Sequence, residues 1–394
     1  MLQYNSEGES DAAFADCLNV LFQDLEKSSL SPADQVEWAL DMALADEYSL
    51  CVAGLDHLWK KRYAKSDWSA VSDRLAQRLK TLKAAKGELR YKRDRVADWL
   101  ILALEKAGRQ DEIIPLCERE APITLSYERL VNYLMAKRRW EEARRWCHQG
   151  MEAVSSTYPG IETGLRQQLQ RINQRSGNPL AGLALQAEEF FAEPCLAGFQ
   201  DLCKTARKVR VGKGVEAWAR HYLETGRRPG VGRKRKSDPK IAWPLPSPEV
   251  EVPNIEAAEA PMTGILIQLA IAEKKPDEVL KWYDYAGRRK GGLKLYDFIV
   301  NPTEVAEAIK SAHPDRALDI WQETAEEQIA RVSTSGYEAA VPYLRKIKNA
   351  LTRAGRKQEW EAYLASLREE NHRRPRCLEV LDRLKGGRRR IIDP

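Results

Sequence analysis

Three runs of cationic side chains carry the plainest chemistry in this chain. Lys204, Arg207, Lys208, Arg210 and Lys213 form the first, Arg227, Arg228, Arg233, Lys234, Arg235 and Lys236 the second, and Lys385, Arg388, Arg389 and Arg390 the third. Arginine and lysine on flexible segments neutralise phosphates without reading base sequence. The candidate nucleic-acid contacts are Arg227, Arg228, Arg233, Lys234, Arg235, Lys236, Arg388, Arg389 and Arg390. No aromatic residue interrupts the second run, so it offers charge without stacking surfaces. The same charges would also serve solubility, or hold a linker extended by self-repulsion.

The other reactive residue types do not converge. Cysteines at 17, 51, 117, 147, 195, 203 and 377 are scattered without paired spacing. Cys195 and Cys203 could share a helix face, but no histidine or second pair stands near them, and buried small apolar roles fit better. His57, His148, His221, His313 and His372 are isolated, and His313 precedes Pro314 in a turn. Glu141-Glu142, Glu188-Glu189, Glu326-Glu327 and Glu369-Glu370 are adjacent pairs, which on a helix point away from one another and cannot act together on one substrate. Gly230-Val231-Gly232-Arg233-Lys234 lacks the spaced glycine and Lys-Ser/Thr of a phosphate loop. The expectation is of no catalytic residue, no cofactor and no metal site.

Composition sets the remaining bounds. With 394 residues, 31% of them charged and a net charge of +6, the chain has room for two or three domains or for one elongated helical array. Unpaired cysteines and the lack of a recognisable signal segment lead to an expectation of a cytoplasmic protein with reduced thiols. No apolar run reaches the roughly 20 residues that a membrane-spanning helix needs.

The elements that would position these residues are helical hairpins. In Met262 to Tyr285 the apolar residues Ile265, Leu266, Leu269 and Ala270 recur at helical spacing. Lys275-Pro276-Asp277 then stops one helix and starts the next, whose face is Val279, Leu280, Trp282 and Tyr283. The same pattern returns at Arg95 to Cys117 with Gly108 as the break, at Tyr127 to Trp146, at Ala306 to Leu318, and at Tyr343 to Trp360 with Gly355 at the break. Aligning the turns pairs Glu112, Glu142 and Glu278. The spacings, about 30 to 43 residues, scatter around the tetratricopeptide period near 34. The prediction is an all-α, tetratricopeptide-like α-solenoid of divergent hairpins, with a compact non-repeating bundle as the alternative. Further upstream, Ser31-Pro32 reads as a helix start, Phe14, Leu18, Leu21, Phe22 and Leu25 as one buried face, and Leu50 to Tyr63 as a further helix.

One stretch departs from the pattern. Residues 226–261 are rich in Pro, Gly and charge and divide the chain into N-terminal repeats at 1–225, this strap, C-terminal repeats at 262–384 and a basic tail at 385–394. The basic first half of the strap is expected to be mobile. Trp243-Pro244-Leu245-Pro246 is expected to dock on helices, with Ile241, Trp243 and Leu245 as its anchors.

The runs WPLPSPEV, LIQLAIAEKKPDEVLKWYD, HPDRALDIWQETAEEQIA, YEAAVPYLRKIKNAL and EWEAYLASLREENHRRPRCLEVL resemble the helical region that follows the zinc finger in prokaryotic SWIM zinc-finger proteins. DWSAVSDRLAQRL and RDRVADWLILALEKAGRQDEIIPLCEREA resemble the N-terminal half of that region, so the likeness covers about Phe14 to Leu384. The chain departs from the family where zinc would bind, having neither Cys-x-Cys nor Cys-x-His. Cys147 and His148 are adjacent and diverge on a helix. Zinc binding therefore does not carry over. The chain resembles the helical part standing alone, or one product of a split gene whose finger lies elsewhere, in a protein partner. The expected role is a non-enzymatic helical-repeat scaffold that binds a protein through its solenoid surfaces. The alternative is a nucleic-acid-binding accessory protein that uses the basic strap and tail.

Overall fold

A computed structural model describes residues 7–46, 51, 60, 63–82, 87–154, 157–230, 233, 235–250, 260–288 and 300–385. The helix expected around Leu50 to Tyr63 lies almost wholly outside them. Among the described residues all regular structure is helical, and two compact units are formed by Met1–Leu185 and Gln186–Pro394.

The first unit contains α1 (Glu7–Lys27), α2 (Pro32–Ala45), α3 (Lys65–Thr81), α4 (Glu88–Ala107), α5 (Ile113–Thr124), α6 (Tyr127–Ala136), α7 (Trp140–Val154) and α8 (Pro159–Arg175), and α9 (Pro179–Ala192) spans the division. α2 begins as expected, with the Ser31 hydroxyl accepting the Asp34 N–H and Pro32 at the first helical position. Phe22 is buried on α1, but Leu21 is about half exposed, which corrects the expected face: Leu21 and Phe22 are neighbours in sequence and lie about 100° apart around the helix.

The second unit continues with α10 (Leu196–Lys208), α11 (Gly212–Thr225), α12 (Thr263–Ala272), α13 (Pro276–Arg288), α14 (Pro302–Ile309), α15 (Pro314–Ala330), α16 (Thr334–Arg353), α17 (Lys357–Glu370) and α18 (Pro375–Asp382). Within each unit neighbouring helices pack in sequence, from α1 to α8 in the first and from α10 to α18 in the second. The first helices of successive hairpins also touch, α6 on α8 in one unit, and α10 on α12, α12 on α14 and α16 on α18 in the other. This stacking is what buries the apolar stripes that no single hairpin could cover. Leu130, Leu134, Leu165, Leu169 and Ile172 are fully buried in the first unit, and Val279, Val305, Ile320, Leu344 and Ile347 in the second. Each such side chain contributes on the order of 1.5–3 kcal/mol by leaving water.

Among the described residues six hairpins close with the same turn. The residue one or two places after the first helix is left-handed at Gly108, Arg138, Gly177, Arg210, Lys274 and Gly355, with φ of 80°, 60°, 92°, 64°, 57° and 74°. The N–H of the next residue reaches back five positions, as from Arg109 to Leu104 O, Arg139 to Leu134 O, Asn178 to Asn173 O, Val211 to Ala206 O, Lys275 to Ala270 O and Arg356 to Leu351 O, at 2.8–3.0 Å. These bonds satisfy carbonyls that a helix end leaves without partners. Glycine adopts this conformation freely, whereas an L side chain there costs roughly 1–2 kcal/mol.

Charged residues then link one hairpin to the next along the turn edge. Arg109 bonds Glu112 in its own turn and Asp73 on α3, both near 2.6–2.7 Å. Arg356 does the same with Glu359 and with Asp315 of the preceding hairpin, and His313 Nε2 lies 2.7 Å from Asp277. The Arg109 hydrogen bonds hold the Glu112 carboxyl below its ordinary range. Such exposed pairs are screened by water, so they set register more than stability.

Arg93 and Glu120 are different, since both are buried and joined by two hydrogen bonds of 2.7 and 3.1 Å. Glu120→Ala leaves a buried guanidinium without its carboxylate and is expected to lower unfolding stability by about 3–5 kcal/mol. Urea denaturation checks this, and replacing both residues by leucine and methionine should recover most of the loss.

Candidate functional site

The strap folds back along α11. Residues 238–244 run antiparallel to the helix, so that Asp238 lies beside His221, Ile241 beside Trp218 and Pro244 over Gly214. His221 Nε2 is 3.3 Å from Asp238 Oδ1, and both side chains are buried. The Trp218 indole N–H donates to Ile241 O at 2.9 Å. A Cβ on Gly214 would sit 3.2 Å from the Pro244 ring, which is why this helix carries a glycine on its strap side. Trp243 then packs on Phe191 with ring centres 5.8 Å apart, and Leu245 is buried. Docking of Trp243 and Leu245 is as expected, but the Ile241 side chain is half exposed and anchors through its carbonyl instead.

Asp238 is the hub of the basic half. Its Oδ1 accepts the Arg227 guanidinium at 2.9 Å and its Oδ2 accepts the Arg235 N–H at 2.8 Å. Arg227 also donates to Arg233 O at 3.1 Å. The Arg235 N–H, then Arg227 and His221, hold the Asp238 carboxyl below its ordinary range against the opposing effect of burial. Arg228 bonds Glu188 at 3.1 Å and Phe191 O at 3.2 Å, and its guanidinium lies over the Phe191 ring.

The candidate contacts therefore divide. Arg227 and Arg228 are engaged with Asp238, Glu188 and Phe191 O. Arg233, Arg235 and Lys236 are exposed on the loop that Asp238 holds. Lys234, Arg388, Arg389 and Arg390 lie outside the described residues.

A relay of ion pairs joins the α10–α11 turn to the α12–α13 turn. Arg207 reaches Glu216 at 3.2 Å, Glu216 reaches Arg220 at 3.3 Å, Arg220 bonds Glu273, and Glu273 bonds Lys275 at 2.9 Å. Burial pushes the Glu273 carboxyl up, but the hydrogen bonds from Lys275 and Arg220 outweigh it and leave the group below its ordinary range. The Met262 N–H donates to Leu223 O at 2.8 Å, so α12 is tied to α11 across the whole insertion. Flanking the relay, Lys208, Arg210, Lys213 and Lys274 are exposed.

The remaining candidates stay apart. Burial pushes the Cys117 thiol up to about 11 and the Cys203 thiol up to about 12, which makes both poor nucleophiles. Cys195 is exposed and its sulfur accepts the Gly198 N–H at 3.3 Å as the cap of α10, so it does not share an environment with Cys203. Among the described residues no three His, Cys, Asp or Glu side chains are grouped to hold a metal ion, and no helix is long and apolar enough to cross a membrane. An open groove of about 580 Å³ between α2 and α3 is lined by Glu37, Asp41, Arg74, Gln77, Arg78 and Thr81, with Arg74 and Arg78 paired to acids across it. No family model matches this chain, and neither does any curated protein sequence.

Asp238→Ala removes the hub while leaving the α11 helix intact. Trypsin cleavage after Arg233, Arg235 and Lys236, followed by mass spectrometry, is expected to accelerate at least about tenfold, as for a loop whose local opening has become easy. In the parent protein the depressed Asp238 pKa places acid release below the ordinary aspartate value of about 3.9. Hydrogen exchange of the strap should accordingly stay protected as the pH falls to about 4 and be lost below it.

Proposed function

We propose that this chain is a non-enzymatic helical-repeat scaffold that binds a protein partner, working in the cytoplasm. The observation that carries the reading is on α4, the first helix of its hairpin. Leu89 and Tyr91 are exposed at 53% and 58%, and the Arg95 guanidinium lies over both the Tyr91 and Trp99 rings, at 5.7 and 5.3 Å from their centres. Large apolar side chains left in water beside a stacked arginine are costly to a free protein and are the residue types that dominate protein interfaces. The resemblance to the SWIM-associated helical region supports a partner that carries the finger as a separate chain.

Tyr91→Ala and Arg95→Ala are each expected to weaken the complex with a partner purified from native extracts at least tenfold, about 1.4 kcal/mol, without lowering the melting midpoint. Recovery of the protein only as a free monomer would remove this reading.

A second reading is favoured by a specific observation, the exposure of Arg233, Arg235 and Lys236 beside Asp238, whose carboxylate accepts the Arg235 N–H. In that reading the protein is an accessory factor that contacts nucleic-acid phosphates. Binding should weaken steeply with salt and fall when these three residues become alanine.

A further inference from the structure

We propose that the α10–α11 and α12–α13 turns together form a phosphate-binding edge for nucleic acid, with Lys208, Arg210, Lys213 and Lys274 as its contacts. This rests on the nucleic-acid reading and moves its centre from the strap to the turns.

Two independent features of the turns lead there. The first is where the cations sit. Arg210 and Lys274 occupy the left-handed closing position, with φ of 64° and 57°, at which Gly108, Gly177 and Gly355 close other hairpins of the same chain. A strained backbone position filled by a long basic side chain, where the fold elsewhere uses glycine, is a place to look for function. Stability alone would favour glycine.

The second feature is how the charges are disposed. The acids near these turns are already engaged: Glu216 with Arg207 and Arg220, Glu273 with Arg220 and Lys275, and Glu278 with Lys275. Lys208, Arg210, Lys213 and Lys274 are exposed, and their side chains make no ion pair or hydrogen bond with the described residues; the backbone N–H groups of Arg210 and Lys274 donate to Arg207 O and Ile271 O in the turns themselves. The relay holds the two turns on adjoining hairpins, and α10 packs on α12. Packed helices stand 8–10 Å apart, a span of about three phosphates along one strand of a duplex at about 3.4 Å each. The exposed side chains of these turns are cationic without an aromatic or apolar pocket, which suits a regular phosphodiester array better than an amphipathic acidic peptide.

The test is fluorescence anisotropy of the full chain with a labelled oligothymidylate of about 30 nucleotides and with a duplex of similar length, across a salt series. R210G/K274G should weaken binding at least about fivefold and lower the log–log salt slope by about 1 for each cation removed. Its melting midpoint should be no lower than that of the parent. K208A/K213A, which leaves the backbone unstrained, should weaken binding in the same direction. R138G removes the left-handed arginine of the first unit and should bind as the parent does.

Four results would overturn the proposal. If the parent fails to bind either probe at low salt, the proposal and the nucleic-acid reading fall together. If R233A/R235A/K236A abolishes binding and R210G/K274G leaves it unchanged, the edge is wrong and the strap reading stands. Displacement by polyglutamate as effective as by oligothymidylate at equal charge would make the surface a general acid binder. A lowered midpoint in R210G/K274G would remove the argument from strain.

Discussion

Helical hairpins that cannot bury their own apolar stripe must be held at a fixed angle and in fixed register to their neighbours. In this chain that constraint is met by one left-handed residue followed by a bond that reaches back five positions. The turn recurs at Gly108, Arg138, Gly177, Arg210, Lys274 and Gly355, and the hairpins it closes differ in length, helix composition and spacing. A recurring closing geometry combined with variable helices leaves the repeat period irregular while the bond pattern at each turn stays the same.

The strap tests how strong that constraint is. It inserts a long irregular segment between α11 and α12, yet α12 packs on α10 and α11, as an uninterrupted hairpin would, and the Met262 N–H bonds Leu223 O. The insertion is accommodated because it has its own attachments, to α11 through Asp238, Ile241 O and Pro244, and to Phe191 on α9 through Trp243. A buried carboxylate shared by Arg227, His221 and a backbone N–H is a costly arrangement to leave half made. The Arg227 guanidinium and the Arg235 N–H are the hydrogen bonds that fasten the described part of this basic run to Asp238.

Much of the helical architecture was legible. Ser31-Pro32, Gly108, Lys275-Pro276, Pro314 and Gly355 mark helix boundaries by known backbone preferences, and each stands at one. The left-handed residues Arg138, Arg210 and Lys274 were not legible, because nothing in a polar turn residue announces a conformation that glycine usually takes. The site was harder still. His221 read as isolated since its partner sits on irregular backbone that no periodicity registers. Arg228 read as free since Glu188 lies 40 residues away. Leu21 read as buried because a run of apolar residues overstates the width of a helix face.

The account depends most on the hairpins remaining stacked across the strap, and amide hydrogen exchange of the full chain reports on that directly. The N–H groups of Val211 and Lys275 close the turns on either side of the insertion, and that of Met262 bridges it. All three should be protected to the same degree as those of Arg139 and Asn178 in the first unit. Exchange at Met262 and Lys275 near the rate of an unstructured chain, with Arg139 still protected, would mean that the stack ends at α11.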